Sequence, residues 1–424
     1  MLSTILSSLS VPDIRKKIGF TALMLGLYRA GAHLTAPGIN ASAAKQLSGS
    51  LAGSSSILGF LNLFSGGALS EMAIFALGIM PYITASIILQ LLTVVVPSLE
   101  KLSKEGEVGQ ARITQYTRYL TVGLAFAQSI GYVFLFHSLG TANDPVITHF
   151  DLQHIFLIVM SLTAGTVLVM WMGELITQRG IGNGISLMIF ASIVSRLPGA
   201  AQTWYTTNNQ VFKVVLPFLV LAVVAAVVFV QEGQRRIPVQ YAKRVIGRRM
   251  TSGGQTYLPL RVNMAGVIPV IFAASLMAFP PTVGQLLHTR WSEHVADFFS
   301  PSGWHYILGE ALLIIVFTYF YTAVTFNPVD QADNLKKYGG FIPGVRPGRP
   351  TAEFLDRILA RLTFAGALYL AAVATLPAIV YAQSGVTFNF GGTSIIIVIG
   401  VALDTMKQLE AQLMMRNYEG FLKT

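Results

Sequence analysis

Ten long apolar runs, separated by polar and basic stretches, set the pattern of this chain. Each run has about 16 to 25 residues, and an α-helix needs about 20 apolar residues to cross the hydrocarbon core of a bilayer. Transmembrane barrels instead alternate apolar and polar residues in segments of about ten. The pattern therefore predicts an all-α polytopic membrane protein. The ten predicted transmembrane helices are 18–35, 72–96, 115–136, 154–174, 183–198, 212–231, 263–281, 306–326, 362–382 and 393–412.

The composition supports this interpretation. Of the 424 residues, 53% are apolar and 11% are charged, whereas about 25% of residues are charged in an average soluble domain. This excludes an ordinary soluble enzyme. The chain has no cysteine, which excludes thiolate metal sites, thiol catalysis and disulfides. Its sequence contains neither an HExxH pair nor a GxxxxGK[ST] phosphate loop. We therefore predict no cofactor, no metal site and no catalytic residue.

The basic residues predict the orientation. The net charge is +10, and 24 of the 29 Lys and Arg fall on the side of the predicted membrane that holds the N-terminus. Four fall on the other side, and Arg29 lies within the first span. Because cytoplasmic loops of membrane proteins are enriched in Lys and Arg, both termini are expected in the cytoplasm.

Two of the predicted cytoplasmic loops are longer than a simple connection requires. They are residues 232–262, which are strongly basic, and residues 327–361, whose tip reads GGFIPGVRPGRP. Proline fixes φ and glycine permits tight turns, so this tip is expected to be stiff. Two interpretations stay open: the loops are topology signals that contact lipid headgroups, or they dock acidic or nucleic-acid-rich partners.

A short apolar segment precedes the second span. Residues 57–71 are apolar enough to leave water but too short to cross a bilayer, which indicates a re-entrant half-helix. The alternative is a peripheral interfacial helix. The Ser65-Gly66-Gly67 break exposes backbone polar groups, which are tolerated at membrane depth only where protein or a water-filled cavity surrounds them.

Ionisable residues are rare within the predicted spans. They include Arg29, Arg118 and Asp404, whereas ion-coupled transporters need carboxylates or histidines near the midplane. Polar span residues such as Thr84, Gln128 and Asn263 are neutral, and interhelical hydrogen bonding is the simplest explanation for them.

Six stretches of the sequence are long enough to act as family signatures. They are NLFSGGALSEMAIFALGIMPYITASIILQLL at 62–92, RGIGNGIS at 179–186, EGQRRIPVQYAKR at 232–244, LPLRVNMAGVIPVIFA at 258–273, FNPVDQADNLKKYGGFIPGVRPG at 326–348 and FGGTSIIIVIG at 390–400. Over nearly its whole length the chain resembles the SecY family, the central subunits of the bacterial protein-export channel.

The resemblance implies a clamshell of two inverted, pseudo-symmetric halves. Residues 1–200 would hold spans 1–5 and residues 201–424 spans 6–10. Residues 57–70 would form a plug helix that closes the outer funnel. The plug residues that the resemblance singles out are Phe60, Asn62, Phe64, Ser65, Gly66 and Gly67.

The resemblance also implies a narrow apolar ring at the middle of the pore. An apolar constriction opposes ion passage by dewetting and yields to a passing chain. Six positions of this sequence match the ring, and all six are isoleucine. They are Ile79, Ile83, Ile185, Ile189, Ile271 and Ile397.

A lateral gate and a docking surface follow from the same resemblance. Spans 2 and 3 would meet spans 7 and 8 at a seam that opens to lipid. Its candidate polar residues are Thr84, Gln90, Gln128 and Asn263. Candidate docking residues for a motor ATPase or a ribosome are Arg248, Arg249, Arg346 and Arg349, since the arginine side chain binds carboxylates and phosphates bidentately.

The function that the resemblance implies is a protein-conducting channel. Such a channel moves unfolded secretory polypeptides across the bacterial plasma membrane and releases transmembrane segments sideways into lipid. Expected partners are SecE, SecG, SecA, the ribosome, signal peptides and nascent chains, with SecDF and YidC as further candidates. The alternative is an ion-coupled secondary transporter of a small solute, which also uses inverted repeats.

Overall fold

The computed structural model describes most of the chain. The described residues are 11–40, 42–43, 62, 64–139, 145–206, 210–241, 244–246, 249–251, 255–287, 298, 303–384 and 392–422. The helices are α1 (Pro12–Gly31), α2 (Met80–Val95), α3 (Pro97–Lys104), α4 (Glu107–Leu139), α5 (Leu152–Arg179), α6 (Gly184–Val194), α7 (Leu197–Thr206), α8 (Gln210–Glu232), α9 (Ile268–Leu287), α10 (Trp304–Thr325), α11 (Pro328–Lys337), α12 (Arg349–Ser384) and α13 (Gly392–Leu422). The strands are β1 (Gln234–Tyr241), β2 (Arg244–Ile246), β3 (Arg249–Thr251), β4 (Gln255–Arg261) and β5 (Gly340–Phe341).

The helices confirm a multi-pass helical membrane protein. Among the described residues, seven helical segments are long and apolar enough to cross a bilayer. The consecutive helices α2 and α3, which meet at 100°, make an eighth candidate. Helices α1 and α9 occupy the two remaining predicted positions. Every predicted run therefore contains a helix, and the count of ten membrane crossings stays a prediction.

The predicted start of the second span, at residue 72, is wrong. Helix α2 begins at Met80, and residues 65–79 form consecutive turns. Pro81 stands in the first turn of α2, where its missing N–H costs no intrahelical bond. Gly78 has a φ of 56°, a conformation that glycine adopts without steric cost. We call residues 64–79 the turn segment, because this apolar stretch is folded as buried turns.

The two long basic loops share one small sheet, which the sequence did not predict. Strand β1 pairs antiparallel with β4 from Gln234↔Arg261 to Gln240↔Gln255, and its far end pairs with β5. The loops 232–262 and 327–361 are therefore one unit, which we call the loop domain. An apolar cluster joins it to the membrane helices. Its buried residues are Ile237, Val239, Leu260, Phe326, Ile342, Leu355, Ile358 and Leu359.

The described helices form two groups that meet on two sides. In the first group α5 contacts α1, α4 and α6, and α4 contacts α2. In the second, α10 contacts α9 and α12, while α13 contacts α8, α9 and α12. Helix α9 contacts α2 and α4 on one side, and α6 contacts α13 on the other. One large apolar cluster fills the space between the groups. The inverted symmetry of the two halves, and their boundary near residue 200, stay predictions.

Candidate channel site

The six predicted ring isoleucines all pack into the central apolar cluster. Ile185 is half-buried, and the other five are less than 5% exposed. A Cβ built on Gly173 of α5 would lie 3.5 Å from Ile185 Cγ1 and 3.6 Å from Ile79 Cδ1. The residue that precedes α2 and the start of α6 therefore converge beside α5. The structure thus places residues from α2, α6, α9 and α13 in one apolar cluster where the two helix groups meet.

The seam between the groups lies where α9 packs against α2 and α4. Ser275 on α9 is 2% exposed, and its hydroxyl oxygen lies 4.0 Å from the sulfur of Met80 at the start of α2. The same hydroxyl donates to the carbonyl of Ile271 at 2.7 Å. Sequence reasoning missed Ser275 because it is a single small polar residue within an apolar run.

The four predicted gate residues divide into two sets. Thr84, Gln90 and Gln128 lie on α2 and α4, and the Thr84 hydroxyl donates to the carbonyl of Met80 in its own helix. Asn263 precedes α9 and donates to the carbonyl of Gly266 at 2.9 Å. Its role at the gate stays a prediction, as do those of the other three.

Asn263 lines a cavity of about 180 Å³ at the end of the bundle that carries the loop domain. Other residues of its lining are Gln231 of α8 and Asp404 and Lys407 of α13. The Nε2 atom of Gln231 and the Oδ1 atom of Asn263 are buried without a hydrogen-bond partner. All of these residues belong to the second helix group, so Asn263 sits beside α8 and α13.

The described part of the predicted plug is tightly held. The Asn62 side-chain oxygen accepts from the Ser70 N–H at 3.1 Å, and its carbonyl accepts from the Gly67 N–H at 2.9 Å. Asn62, Phe64 and Ser65 are buried, and the Arg29 guanidinium donates to the carbonyl of Gly66. Phe60 lies outside the described residues, as do 57–59, 61 and 63, so the plug helix stays a prediction.

The turn segment is also fixed to α1 and to the residues that follow α1. The Ala36 N–H donates to the carbonyl of Met72 at 2.9 Å, and the Ile74 N–H donates to the carbonyl of Leu34 at 2.8 Å. Tyr28 stacks on Phe75 with 5.9 Å between ring centroids. These bonds satisfy backbone groups that would otherwise be buried without partners.

The RGIGNGIS motif joins three helices. The Ile181 N–H donates to the hydroxyl of Thr21 in α1 at 3.1 Å. The Asn183 side chain caps α6 by accepting from the Ile185 N–H at 3.1 Å. Backbone N–H groups in the first turn of a helix have no acceptor within the helix, so the cap satisfies one of them. Gly182 has a φ of 83°, and a Cβ there would lie 3.2 Å from the hydroxyl of Thr405 in α13. The motif is a packing element at the contact between α6 and α13.

Replacing Gly184 with alanine is expected to destabilise the fold. A Cβ at this position would overlap the carbonyl oxygen of Gly173, and such overpacking costs about 1–3 kcal/mol. The matched control is Gly19→Ala in α1, where a Cβ meets nothing within 4 Å. Thermal unfolding in detergent should show a lower midpoint temperature for Gly184→Ala than for the unsubstituted chain, and no decrease in the midpoint temperature for Gly19→Ala. Equal midpoints for the two variants would contradict the packing role.

The loop domain presents its arginines at a stiff tip. Arg346 is exposed, and its carbonyl accepts from the Thr351 hydroxyl at 2.8 Å. Gly344 and Gly348 have φ values of 83° and 102°, so the tip depends on glycine's freedom to turn. Arg349 is also exposed and lies 3.4 Å from the carboxylate of Glu353.

Of the other two predicted docking arginines, one lies within the described residues. Arg249 lies in strand β3, where its backbone pairs with Ile246. Arg248 lies outside the described residues. The docking roles of all four arginines stay predictions.

Comparisons with known proteins bear on the whole chain. The sequence profile of the SecY family matches residues 73–406. The protein translocase subunit SecY of Corynebacterium glutamicum is 50% identical over 440 residues, covering 100% of both chains. The chain belongs to the SecY family. This confirms the predicted family and a non-enzymatic protein translocase subunit.

Solved structures agree with the SecY assignment at the level of the fold. A structure described as a protein conducting channel aligns with a TM-score of 0.63 at 18% identity, covering 94% of this chain and 92% of that one. Sec61 in the canine ribosome-channel complex aligns with a TM-score of 0.61 at 18% identity and the same coverage. The helical arrangement of this SecY-family chain is therefore that of Sec-type channels.

Proposed function

We propose that this SecY-family chain forms the conducting path for unfolded secretory polypeptides, with the six isoleucines as its seal. The supporting observation is their packing into one cluster where the two helix groups meet. An apolar constriction holds back hydrated ions by dewetting, and flexible side chains in a helical bundle can part for an extended chain. No bound cofactor is needed for this function.

The seam at α9 is the proposed lateral exit. Among the side chains that the structure describes, polar contacts across the seam are few, and the contact between Ser275 and Met80 is weak because sulfur is a poor acceptor. Interhelical hydrogen bonds in membranes are worth about 0.6 kcal/mol on average. A hydrophobic segment that binds between α9 and α2 replaces the contacts between these helices by its own contacts with each of them. The free-energy cost of opening the seam is therefore small.

The proposed location is the bacterial plasma membrane, with both termini and the loop domain in the cytoplasm. The distribution of Lys and Arg supports this orientation. SecE and SecG are the proposed membrane subunits. SecA and the ribosome are the proposed partners of the loop domain, and SecDF and YidC are further candidates. The canine Sec61 chain with this fold was solved in a ribosome-channel complex, which supports the ribosome as a partner.

A protease-protection assay tests the proposed path. Proteoliposomes would contain the chain with SecE, an unfolded precursor with its signal sequence, and SecA. We expect protected precursor only when ATP is present. Failure of protection while the complex stays folded and binds SecA would overturn the proposal.

The same assay can test the seam. Since the chain has no cysteine, Met80→Cys with Ser275→Cys gives it two thiols, which face each other across α2 and α9 and are cross-linked before SecA and the precursor are added. A short bifunctional thiol reagent should stop translocation, and a reagent with a cleavable bridge should restore it on reduction. Each single-cysteine variant is the control. Full translocation by the cross-linked pair would contradict the exit at this seam.

A further inference from the structure

A positively charged cavity lies beside the turn segment, at the end of the bundle opposite the loop domain. Its volume is about 280 Å³. Arg29 from the end of α1 and Arg196 from the connection between α6 and α7 are part of its wall. The remaining lining residues are His33, Gly66, Gly67, Ser70, Glu71, Ser195, Gly199 and Ala200.

The two arginines point at consecutive glycines. A Cβ on Gly66 would lie 3.2 Å from Arg29 Nη1, and a Cβ on Gly67 would lie 3.4 Å from Arg196 Nη2. The guanidinium groups are close enough to repel each other. Two like charges at a partly buried site are stable together when an anion lies between or beside them.

Within the part of the chain that the structure describes, neither guanidinium forms an ion pair with a carboxylate. Arg29 donates to the carbonyl of Gly66, which carries no net charge. The carboxylate of the cavity, Glu71, lies 3.0 Å from His33 and is committed to that contact. The cavity therefore keeps an excess of positive charge.

We propose that this cavity binds a phosphate group through Arg29 and Arg196. The arginine fork matches the oxygen spacing of phosphate and engages it bidentately. Ser70 and Ser195 line the same cavity, but their hydroxyls donate to the carbonyls of Gly67 and Ser192 at 2.7 Å, so the two guanidinium groups are the proposed binding groups. Free phosphate and the phosphate of a lipid headgroup share this chemistry.

Occupancy of the cavity would act on the turn segment. The guanidinium of Arg29 that binds the anion also holds the Gly66 carbonyl. An anion that draws this guanidinium away weakens the attachment of the turn segment, whereas one that bridges both arginines fixes them in place. The site therefore couples anions at this surface to the segment that contains residues 64–70 of the predicted plug.

A single-cysteine reporter tests the site on the full chain, purified with the subunits that remain bound. Ser195→Cys gives this chain a single thiol, because its natural sequence has none, and alkylation is followed on this chain alone after the subunits are separated. Its rate of alkylation by iodoacetamide, a neutral reagent, is measured in detergent with inorganic phosphate or chloride at equal ionic strength. Phosphate at ten times its Kd should slow alkylation about tenfold relative to chloride.

Variants separate binding from nonspecific screening. Arg196→Gln combined with Arg29→Gln should remove the protection by phosphate, and Lys213→Gln, outside the cavity, should retain it. Equilibrium dialysis of radioactive phosphate with the unsubstituted chain gives a second readout that needs no variant. Protection equal in phosphate and chloride, or protection that persists in the double arginine variant, would overturn the proposal.

Nanodiscs distinguish the two sources of phosphate. The alkylation rate is compared in phosphatidylglycerol and phosphatidylcholine nanodiscs, both without added phosphate. Slow alkylation in phosphatidylglycerol and fast alkylation in phosphatidylcholine assign the site to an anionic headgroup. Fast alkylation in both lipids that slows on adding inorganic phosphate assigns it to the free anion. Fast alkylation in every condition contradicts a phosphate site.

Discussion

Replacing Ile397 with asparagine is expected to make membranes that contain the resting channel leak ions. Ile397 on α13 is fully buried in the central cluster, and an amide buried there without partners costs about 1–3 kcal/mol. Water entering the constriction relieves this cost and removes the dewetted gap. A barrier lower by about 1.4 kcal/mol corresponds to a tenfold faster flux. Chloride efflux from proteoliposomes, without precursor or ATP, measures the change.

Ile396→Asn is the matched control for this experiment. Ile396 is also fully buried on α13, but successive helix residues are about 100° apart, so its side chain leaves the helix in another direction. Both variants carry the same burial cost, and only Ile397 belongs to the predicted ring. Equal leaks from the two variants would mean that flux follows general destabilisation. A tight Ile397→Asn channel that still translocates would exclude Ile397 from the seal.

The sequence predicted the helices well because bilayer length is a strong constraint. It failed at residues 72–79, where an apolar run folds as turns. Hydrophobicity cannot separate a buried turn from a buried helix, although Gly78 and Pro81 marked the break. The sheet was also missed, since β5 lies about a hundred residues beyond β1 and local patterning does not report such pairing.

The candidate site depended on the family resemblance more than on residue chemistry. Isoleucines such as Ile396 and Ile397 are equally apolar and equally buried, so no local property selects the ring. The cavity at Arg29 and Arg196 was missed for another reason. Its two arginines are far apart in sequence and meet only because α1 and α6 flank the same turn segment.

Replacing Arg346 with glutamate is expected to abolish coupling to the cytoplasmic partners while the channel stays folded. Arg346 is exposed at the tip of the loop domain, and its carbonyl bond to Thr351 does not depend on its own side chain. The tip therefore keeps its shape in the variant. A reversed charge at a docking contact costs at least about 2 kcal/mol, or about 30-fold in Kd. Binding of SecA to proteoliposomes and ATP-driven protection of precursor measure the loss.

Arg357→Glu provides the control for Arg346→Glu. Arg357 is exposed on α12 in the same loop domain, so this variant makes the same change in net charge away from the tip. If docking depended on the overall positive potential, both variants would weaken SecA binding alike. Raised salt would then weaken SecA binding by the unsubstituted chain and by both variants. Loss confined to Arg346→Glu indicates a specific bidentate contact at the tip. Normal ATP-driven translocation by Arg346→Glu would remove the tip from the docking surface, and the search for the contact would then move to the β2–β3 hairpin.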